Sequence, residues 1–295
     1  MSIQHPIIAV TGSSGAGTST ARVAFEHIFH RLDMRAAFVD GDAFHAYERG
    51  AMAQAVRRAT IRGENFSHFS PGANHLDKLE ALFAEYADTG KGHSRRYLHD
   101  EIEAADVDLE PGMFTDWAAI PEDTDVLMYE GLHGGVVTDQ VDVAQHVDLM
   151  VGMVPTINLE WIQKIRRDSD ERGYAPEDVA KIILRRMPDY VRYITPQFSR
   201  TDINFQRVPL VDTSNPFVAR DVPNDDESMV VIRFRDPERW AVDFPYLLTM
   251  IQGSFMSRPN TFVVPGTKMR MAIEIIVGPI IEYLISQRTA ANNDN

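Results

Sequence analysis

The chain has 295 residues, of which 44% are hydrophobic, and 43 acidic against 29 basic residues give a formal net charge of −14. This composition supports a folded core and excludes a disordered chain, while the acidic surplus disfavours a nucleic-acid binder. The absence of cysteine excludes disulfides, thiolate catalysis and thiolate metal sites.

No apolar run reaches the roughly 18–20 residues that a membrane-spanning helix needs. The first residues, Met1 to Pro6, have neither the basic region nor the apolar region of a secretory signal. We therefore expect a cytoplasmic protein that does not associate with a membrane.

The first half of the chain alternates strand and helix patterns, which predicts βαβ units around a mixed, mainly parallel sheet flanked by helices. Buried strands are predicted at 6–11, 36–39, 126–129 and 149–154, with a helix between the first two. Later patterns predict helices at 156–168, from Pro176 to a kink or end at Pro188, and at 269–285, with strands at 208–211 and 229–232. Because no linker divides the chain, we expect one domain over 1–295 with a lid-like insertion at about 49–117.

A glycine-rich loop joins the first strand to the first helix. It matches G-x-x-x-x-G-K-[ST] everywhere except at Thr18, which occupies the lysine position. The alternatives are a glycine-rich turn without phosphate and a dinucleotide loop, although glycines at 12, 15 and 17 do not fit G-x-G-x-x-G. The predicted nucleotide-binding residues are Gly12, Ser13, Ser14, Gly15, Ala16, Gly17, Thr18, Ser19 and Thr20, with the Ser19 hydroxyl placed to hold Mg²⁺.

The second predicted strand ends in a group of acids. A kinase with an alcohol acceptor needs a base at such a strand end, and Asp42 is a candidate. If a helix follows, His45 and Arg49 lie one and two turns further on, where they can bind an acceptor phosphate. The alternative is that Asp42 only caps that helix.

Two further groups carry charge. Glu130 ends the strand at 126–129 before a glycine-rich turn, as a Walker-B carboxylate does, although acids at strand ends are common. The segment from Lys164 to Arg172 packs four cations with acids between them, and it is either a solvated helix end or a set of phosphate-binding cations. His99 and the polar segment 197–207 line the acceptor site or lie on the surface.

Together these residues resemble the phosphoribulokinases, specifically the bacterial class of the Calvin cycle. The matching segments span nearly the whole chain and lie at 12–19, 64–70, 114–117, 129–134, 157–165, 201–209, 212–217 and 243–246.

The resemblance implies a P-loop fold similar to that of adenylate kinase, with ATP, Mg²⁺ and ribulose 5-phosphate as reactants and ribulose 1,5-bisphosphate as product. It implies Asp42 as the base, contacts to the sugar phosphate from His45, Arg49 and Arg172, a substrate-side histidine at His99, and metal or transition-state acids at Glu130 and Asp168. It also implies active-site cations at Lys164 and Arg167, and a P-loop that is lysine-free throughout the class.

The same resemblance implies control by effectors and self-association. In the bacterial class NADH activates and AMP inhibits, and Arg31, Arg233 and Arg258 resemble the arginines of the effector site. The class forms large homo-oligomers, with an octamer as one candidate size.

Two alternatives to this function remain open. One is another small-molecule kinase of the same fold, of the uridine or pantothenate kinase type, which would replace the pair His45 and Arg49. The other is a non-catalytic nucleotide-sensing protein, although such a sensor need not keep Asp42, Glu130 and Asp168.

Overall fold

The computed structural model describes residues 4–13, 15–170, 173–218 and 221–293, with side chains up to residue 287. The strands are β1 (Ile7–Gly12), β2 (Ala36–Asp40), β3 (His93–Ser94), β4 (Ala118–Ala119), β5 (Val126–Gly131), β6 (Leu149–Val154), β7 (Ile203–Pro209), β8 (Ser228–Phe234), β9 (Phe255–Arg258) and β10 (Thr261–Pro265). The helices are α1 (Thr18–Arg31), α2 (Arg49–Ile61), α3 (Leu76–Thr89), α4 (Glu101–Ala105), α5 (Ile157–Asp170), α6 (Pro176–Asp189), α7 (Phe244–Met250) and α8 (Met269–Asn293). Within these ranges, none of the helices combines the length and the apolarity that a membrane crossing requires.

The chain divides into two compact units. The first contains Met1–Ala9, Arg35–Asp148 and Arg185–Arg200, and the second contains Val10–Met34, Leu149–Leu184 and Thr201–Asn295. The predicted insertion at 49–117, with α2, α3, β3 and α4, belongs to the first unit. A single domain with a lid-like insertion stays a prediction.

The core of the first unit is built on β2 and β5. These strands run parallel and pair from Ala36 opposite Val126 to Asp40 opposite Glu130. On one side they pack against α3, whose buried side chains are Leu76, Leu79, Leu82, Phe83 and Tyr86. The parallel register brings two acids, Asp40 and Glu130, to the same strand ends, where ligands bind in open α/β sheets.

The second unit holds the mixed part of the sheet, in the order β6, β7, β8, β10, β9. β6 and β7 are parallel, whereas β7–β8, β8–β10 and β10–β9 are antiparallel. α1 and α8 pack together in the same unit. Parallel strands joined through helices are typical of α/β proteins, so the predicted fold class agrees with this arrangement.

Most predicted elements are confirmed, and β6 has the predicted bounds. The strand predicted at 208–211 is wrong. The ladder runs over Ile203–Pro209, and Leu210 is 65% exposed. Residues 203 to 206 pair with β6, and residues 203 to 209 pair with β8. The first and last residues of β7 are therefore set by its neighbouring strands and not by the local run of apolar residues.

Several side chains of the polar segment at 197–207 are buried and do not lie on the surface. Gln197, Thr201, Asp202 and Asn204 are all buried. Asp202 accepts hydrogen bonds from Arg235 at 2.7 Å, from Arg239 at 2.8 Å and from the Met150 amide at 2.9 Å. These polar side chains therefore brace the fold of each unit.

Candidate active site

The phosphate loop runs from the end of β1 to the first turn of α1. Gly15 and Gly17 have φ values of +96° and +99°, in the left-handed region that favours glycine. At Gly12 a Cβ atom would lie 2.6 Å from the Met153 carbonyl oxygen, so only glycine fits. The loop leads to the helix N-terminus at Thr18, where backbone N–H groups and the helix dipole favour an anion. Of the predicted nucleotide-binding residues, Ser14 lies outside the described residues.

A cavity of about 310 Å³ adjoins this loop. Its lining includes loop and helix residues, two cations and one acid, namely Gly15, Gly17, Thr18, Ser19, Thr20, Gln163, Arg207, Asp225, Gly266, Thr267, Met269 and Arg270. Arg207 donates to the Ser228 hydroxyl at 3.1 Å and to the Pro223 carbonyl at 2.5 Å. Sequence reasoning included Arg207 only as the end of the polar segment 197–207, assigned to the acceptor site or the surface, and it did not name Arg270, which belongs to no recognisable phosphate motif.

The predicted cations of α5 converge on one buried carboxylate. Lys164 Nζ lies 2.5 Å from Asp168 Oδ2, and Arg167 Nε lies 3.3 Å from Asp168 Oδ1. Asp168 is only 3% exposed, so its charge is compensated inside the protein by these two neighbours. The structure thus brings together three predicted site residues, whereas Arg172 lies outside the described residues.

In the first unit, a short 3₁₀ helix at Gly41–Phe44 follows β2. Asp40 caps this helix, since its Oδ1 accepts a hydrogen bond from the Asp42 amide at 2.8 Å. The alternative that Asp42 is the cap is therefore wrong, and its carboxylate is turned to other partners. Asp42 Oδ1 lies 3.0 Å from His45 Nε2, and Asp42 Oδ2 lies 3.7 Å from His99 Nε2.

The two acids differ in their affinity for a proton. Burial and the neighbouring charge of Asp42 raise the pKa of Asp40 to about 6. Burial alone would raise the pKa of Asp42 too, but the hydrogen bond and charge of His45, with His99, outweigh it and lower that pKa. As the pH falls, Asp40 takes up a proton first and Asp42 keeps its negative charge.

Arg49 begins α2, a helix separate from the 3₁₀ helix, so the condition that one helix carries both His45 and Arg49 is not met. The chain is extended at His45 between the two. Arg49 nevertheless lies in the same neighbourhood, because its Nη2 donates to the His99 carbonyl at 2.8 Å. Its amide donates to the Gly112 carbonyl at 2.9 Å, and its side chain packs on Gly112, where a Cβ atom would lie 2.6 Å from Arg49 Cβ.

Sequence reasoning assigned no role to the groups behind His45. His68 stacks on the His45 ring with centroids 4.4 Å apart, and Asn74 Oδ1 lies 2.8 Å from His45 Nδ1. His133, which is 3% exposed, lies 3.1 Å from Asn74 Nδ2. His68 and His133 fall inside segments that carry the family resemblance, but nothing in their spacing indicates a shared cluster.

The three predicted effector arginines lie in the second unit. Arg233 of β8 and Arg258 of β9 are both register partners of Thr261 in β10, so they share one row of the sheet. Arg31 of α1 lies 3.5 Å from Glu282 of α8 and also approaches Gly278, where a Cβ atom would lie 2.6 Å from its Nη2.

Within the described part of the chain, no three histidine or acidic side chains form a cluster that could hold a metal ion. Mg²⁺ does not require such a cage, because it usually keeps several waters and binds one or two carboxylates and substrate phosphates. The Ser19 hydroxyl at the start of α1 and the buried Asp168 carboxylate of α5, both in the second unit, are oxygen groups of the kind that Mg²⁺ binds.

Comparison with known proteins gives a consistent result. The sequence profile of the phosphoribulokinase / uridine kinase family matches residues 7–214. The phosphoribulokinase of Xanthobacter flavus is 58% identical over 292 residues, which cover 99% of this chain and 100% of that protein. The probable phosphoribulokinase of Escherichia coli K12 is 57% identical over 97% of this chain and 98% of that protein.

Among solved structures, the phosphoribulokinase from Rhodobacter spheroides superimposes with a TM-score of 0.90. It is 51% identical in sequence, and the match covers 98% of this chain and 100% of that one. The likeness therefore extends over both compact units and both groups of site residues.

Proposed function

The chain belongs to the phosphoribulokinase / uridine kinase family, and we propose that it transfers the γ-phosphoryl group of ATP to the 1-hydroxyl of D-ribulose 5-phosphate. The products are ADP and ribulose 1,5-bisphosphate, in the Calvin cycle. The observation that carries the proposal is the full-length identity of 54–58% to proteins named phosphoribulokinase, with the Asp42 carboxylate held by His45 just beyond the end of β2.

The phosphate loop binds the nucleotide. Its backbone N–H groups and the N-terminus of α1 surround the phosphates, and the adjoining cavity of about 310 Å³ receives the nucleoside. Ser19 and Asp168, with Glu130 on the basis of the resemblance, are the residues that would hold Mg²⁺, which when bound would neutralise negative charge on the nucleotide phosphates. Because Thr18 supplies no positive charge, Lys164 and Arg167 supply the cations that bind the phosphates. Asp168 holds both side chains in place through its ion pairs with them.

Asp42 acts as the base. Its Oδ1 is engaged by His45, so its Oδ2 is the oxygen that accepts the proton of the substrate hydroxyl during transfer. A lowered pKa keeps this carboxylate ionised, although it also makes the carboxylate a weaker base. Its contribution is therefore largely one of orientation, with the proton moving as the bond to phosphorus forms.

The 5-phosphate of the sugar is bound by cations of the same neighbourhood. His45, Arg49 and His99 supply positive charge or N–H donors, and Arg172 is proposed to join them on the basis of the resemblance alone. A guanidinium such as that of Arg49 binds phosphate with two parallel hydrogen bonds, which favours a phosphorylated acceptor over a neutral one.

An ADP-release assay with three acceptors tests this function. We expect ADP to form with ribulose 5-phosphate and not with uridine or pantothenate at equal concentration. Faster release with uridine or pantothenate would identify a different kinase of the fold. ATP binding without release for any acceptor would identify a nucleotide sensor.

Arg49→Ala is expected to raise the KM for ribulose 5-phosphate by about 10-fold or more, because a hydrogen bond to a charged group contributes about 1.5–3 kcal/mol. The KM for ATP should change little. Steady-state kinetics with each substrate varied in turn measure both constants, and Arg57→Ala, an exposed arginine on the same helix, is the control. An equal rise in both constants would remove Arg49 from the sugar-phosphate site.

Regulation, assembly and location rest on the resemblance. NADH as an activator, AMP as an inhibitor, a large homo-oligomer and a cytoplasmic location all stay predictions. The row formed by Arg233 and Arg258 supports an anionic effector, because two guanidinium groups on one face of a sheet favour a phosphorylated ligand.

A further inference from the structure

The amide of Asn74 has a fixed orientation. Its Nδ2 donates to the backbone carbonyls of His68 and Ser70, each at 2.9 Å. Rotating the amide by 180° would set Oδ1 against two carbonyl oxygens, and none of these three atoms can donate. Oδ1 therefore faces His45 Nδ1, at 2.8 Å.

This orientation decides the protonation of His45. Because Asn74 Oδ1 can only accept, His45 Nδ1 must carry a proton. His45 Nε2 lies 3.0 Å from Asp42 Oδ1, and an ionised carboxylate also only accepts. Both ring nitrogens are therefore donors, and the ring is an imidazolium. At 5% exposure, His45 has little water available to replace either partner.

The other charged groups near the ring agree with this assignment. Asp40 lies beside Asp42 on the same segment, and the groups facing the His45–Asp42 pair from other elements are His68, His99, His133, Arg95 and the edge of Tyr97. Burial lowers the pKa of His68 to about 3 and that of His133 to about 4, so both are neutral near pH 7. Burial also acts to lower the pKa of His45, but hydrogen bonds to Asp42 and Asn74 and the charge of Asp42 raise it overall.

We propose that Asn74 is a positioning residue: by accepting from His45 Nδ1, it keeps His45 doubly protonated and hydrogen-bonded to Asp42. The functional part of this proposal rests on the proposed kinase reaction. In that reaction the imidazolium holds Asp42 Oδ1, leaves Oδ2 for the sugar hydroxyl, and presents a cation to the anionic acceptor. The sequence separates Asn74 from His45 by 29 residues, so only the fold shows the link.

The pH dependence has a definite sign. The pKa of His45 is raised in the folded protein, so the imidazolium is present at low pH and is lost as the pH rises through that value. Without an acceptor at Nδ1, the His45 imidazolium should lose a proton at lower pH than in the wild type. The pH at which kcat/KM for ribulose 5-phosphate falls on the alkaline side should then also be lower.

Asn74→Leu tests the proposal, with the His45 ring titration followed by NMR on labelled protein without substrate. The His45 signal is assigned by its loss in His45→Gln. We expect the pKa of His45 to fall by about one unit or more, since a hydrogen bond to a charged group contributes at least that much. Ser70→Ala is the matched control: it removes the hydroxyl that donates to Asp189 at 2.6 Å in the same loop but keeps the Ser70 carbonyl. Its His45 pKa should stay at the wild-type value.

Asn74→Asp keeps an acceptor oxygen at His45 Nδ1 and decides the matter if Asn74→Leu does not fold. Its second carboxyl oxygen faces the carbonyls of His68 and Ser70 and takes up a proton to donate to one of them, or stays ionised at a cost, and in both cases the first oxygen still accepts from His45. The pKa of His45 should therefore stay at or above the wild-type value. The proposal is overturned if Asn74→Leu leaves this pKa unchanged, if Asn74→Asp lowers it, or if Ser70→Ala moves it as far as Asn74→Leu does. Because the titration needs no substrate, it is independent of the kinase assignment, which fails separately if the wild type does not phosphorylate ribulose 5-phosphate.

Discussion

Asp42→Asn is expected to lower kcat with ribulose 5-phosphate by about 10²–10⁴-fold, the usual contribution of a positioned general base. Asparagine keeps the size of the side chain but cannot accept the proton of the sugar hydroxyl. The variant should fold, because Asp40 and not Asp42 caps the 3₁₀ helix. The KM for ATP should change little, since the lost interaction acts in the transition state.

Steady-state kinetics measure the effect, with Asp106→Asn, an exposed acid of the same unit, as the control. Thermal unfolding of the variant distinguishes lost chemistry from lost structure, because His45 loses its charged partner in this variant. If Asp42→Asn kept more than about a tenth of the wild-type kcat, its loss would fall below the range for a general base, and Asp42 would not have that role.

Lys164→Met is expected to reduce kcat/KM for ATP by at least about 10-fold, equivalent to about 1.4 kcal/mol. Phosphoryl transfer leaves charge on the β- and γ-oxygens, and Thr18 can offer them a hydrogen bond but no cation. Lys164 is already partly buried on Asp168, so its ammonium is held near one position. Thr18→Ala should have a smaller effect, because the backbone N–H at that position remains.

A second cation near the phosphate loop, Arg270, provides a further comparison for the expected effect of Lys164→Met. Arg270 lines the cavity beside the phosphate loop, and its exposed guanidinium lies 3.4 Å from Glu274. We expect Arg270→Met to have a smaller effect than Lys164→Met. If Arg270→Met lowered kcat/KM for ATP more than Lys164→Met does, Arg270 would be the cation that replaces the loop lysine. If Thr18→Ala lowered it more, Thr18 itself would make the main contact with the phosphate oxygens.

Several features could be predicted from the sequence because they depend on local patterns. β1, β5 and β6 are continuous apolar runs, as buried parallel strands require, and Gly15 and Gly17 of the phosphate loop have the positive φ values that favour glycine. The strand ends then indicate where Asp42 and Glu130 lie, because ligand sites in α/β sheets occur there.

Other features depend on partners that are distant in the sequence. The burial of Asp202 is decided by Arg235 and Arg239, and the bounds of β7 are decided by β6 and β8. A polar segment looks the same in a sequence whether water or buried partners satisfy its hydrogen bonds.

The candidate site also combines features that local sequence patterns predict with features that depend on partners distant in the sequence. The sequence by itself predicted the residue types of a phosphoryl-transfer site, namely Asp42 as the base, the phosphate loop, and the cations of α5. Only the tertiary structure decided that Arg49 donates to the His99 carbonyl, that His68 stacks on His45, and that Asn74 faces His45. The physical reason is that protonation and charge depend on the atoms within about 4–6 Å of a group, and these atoms come from chain segments that only folding brings together.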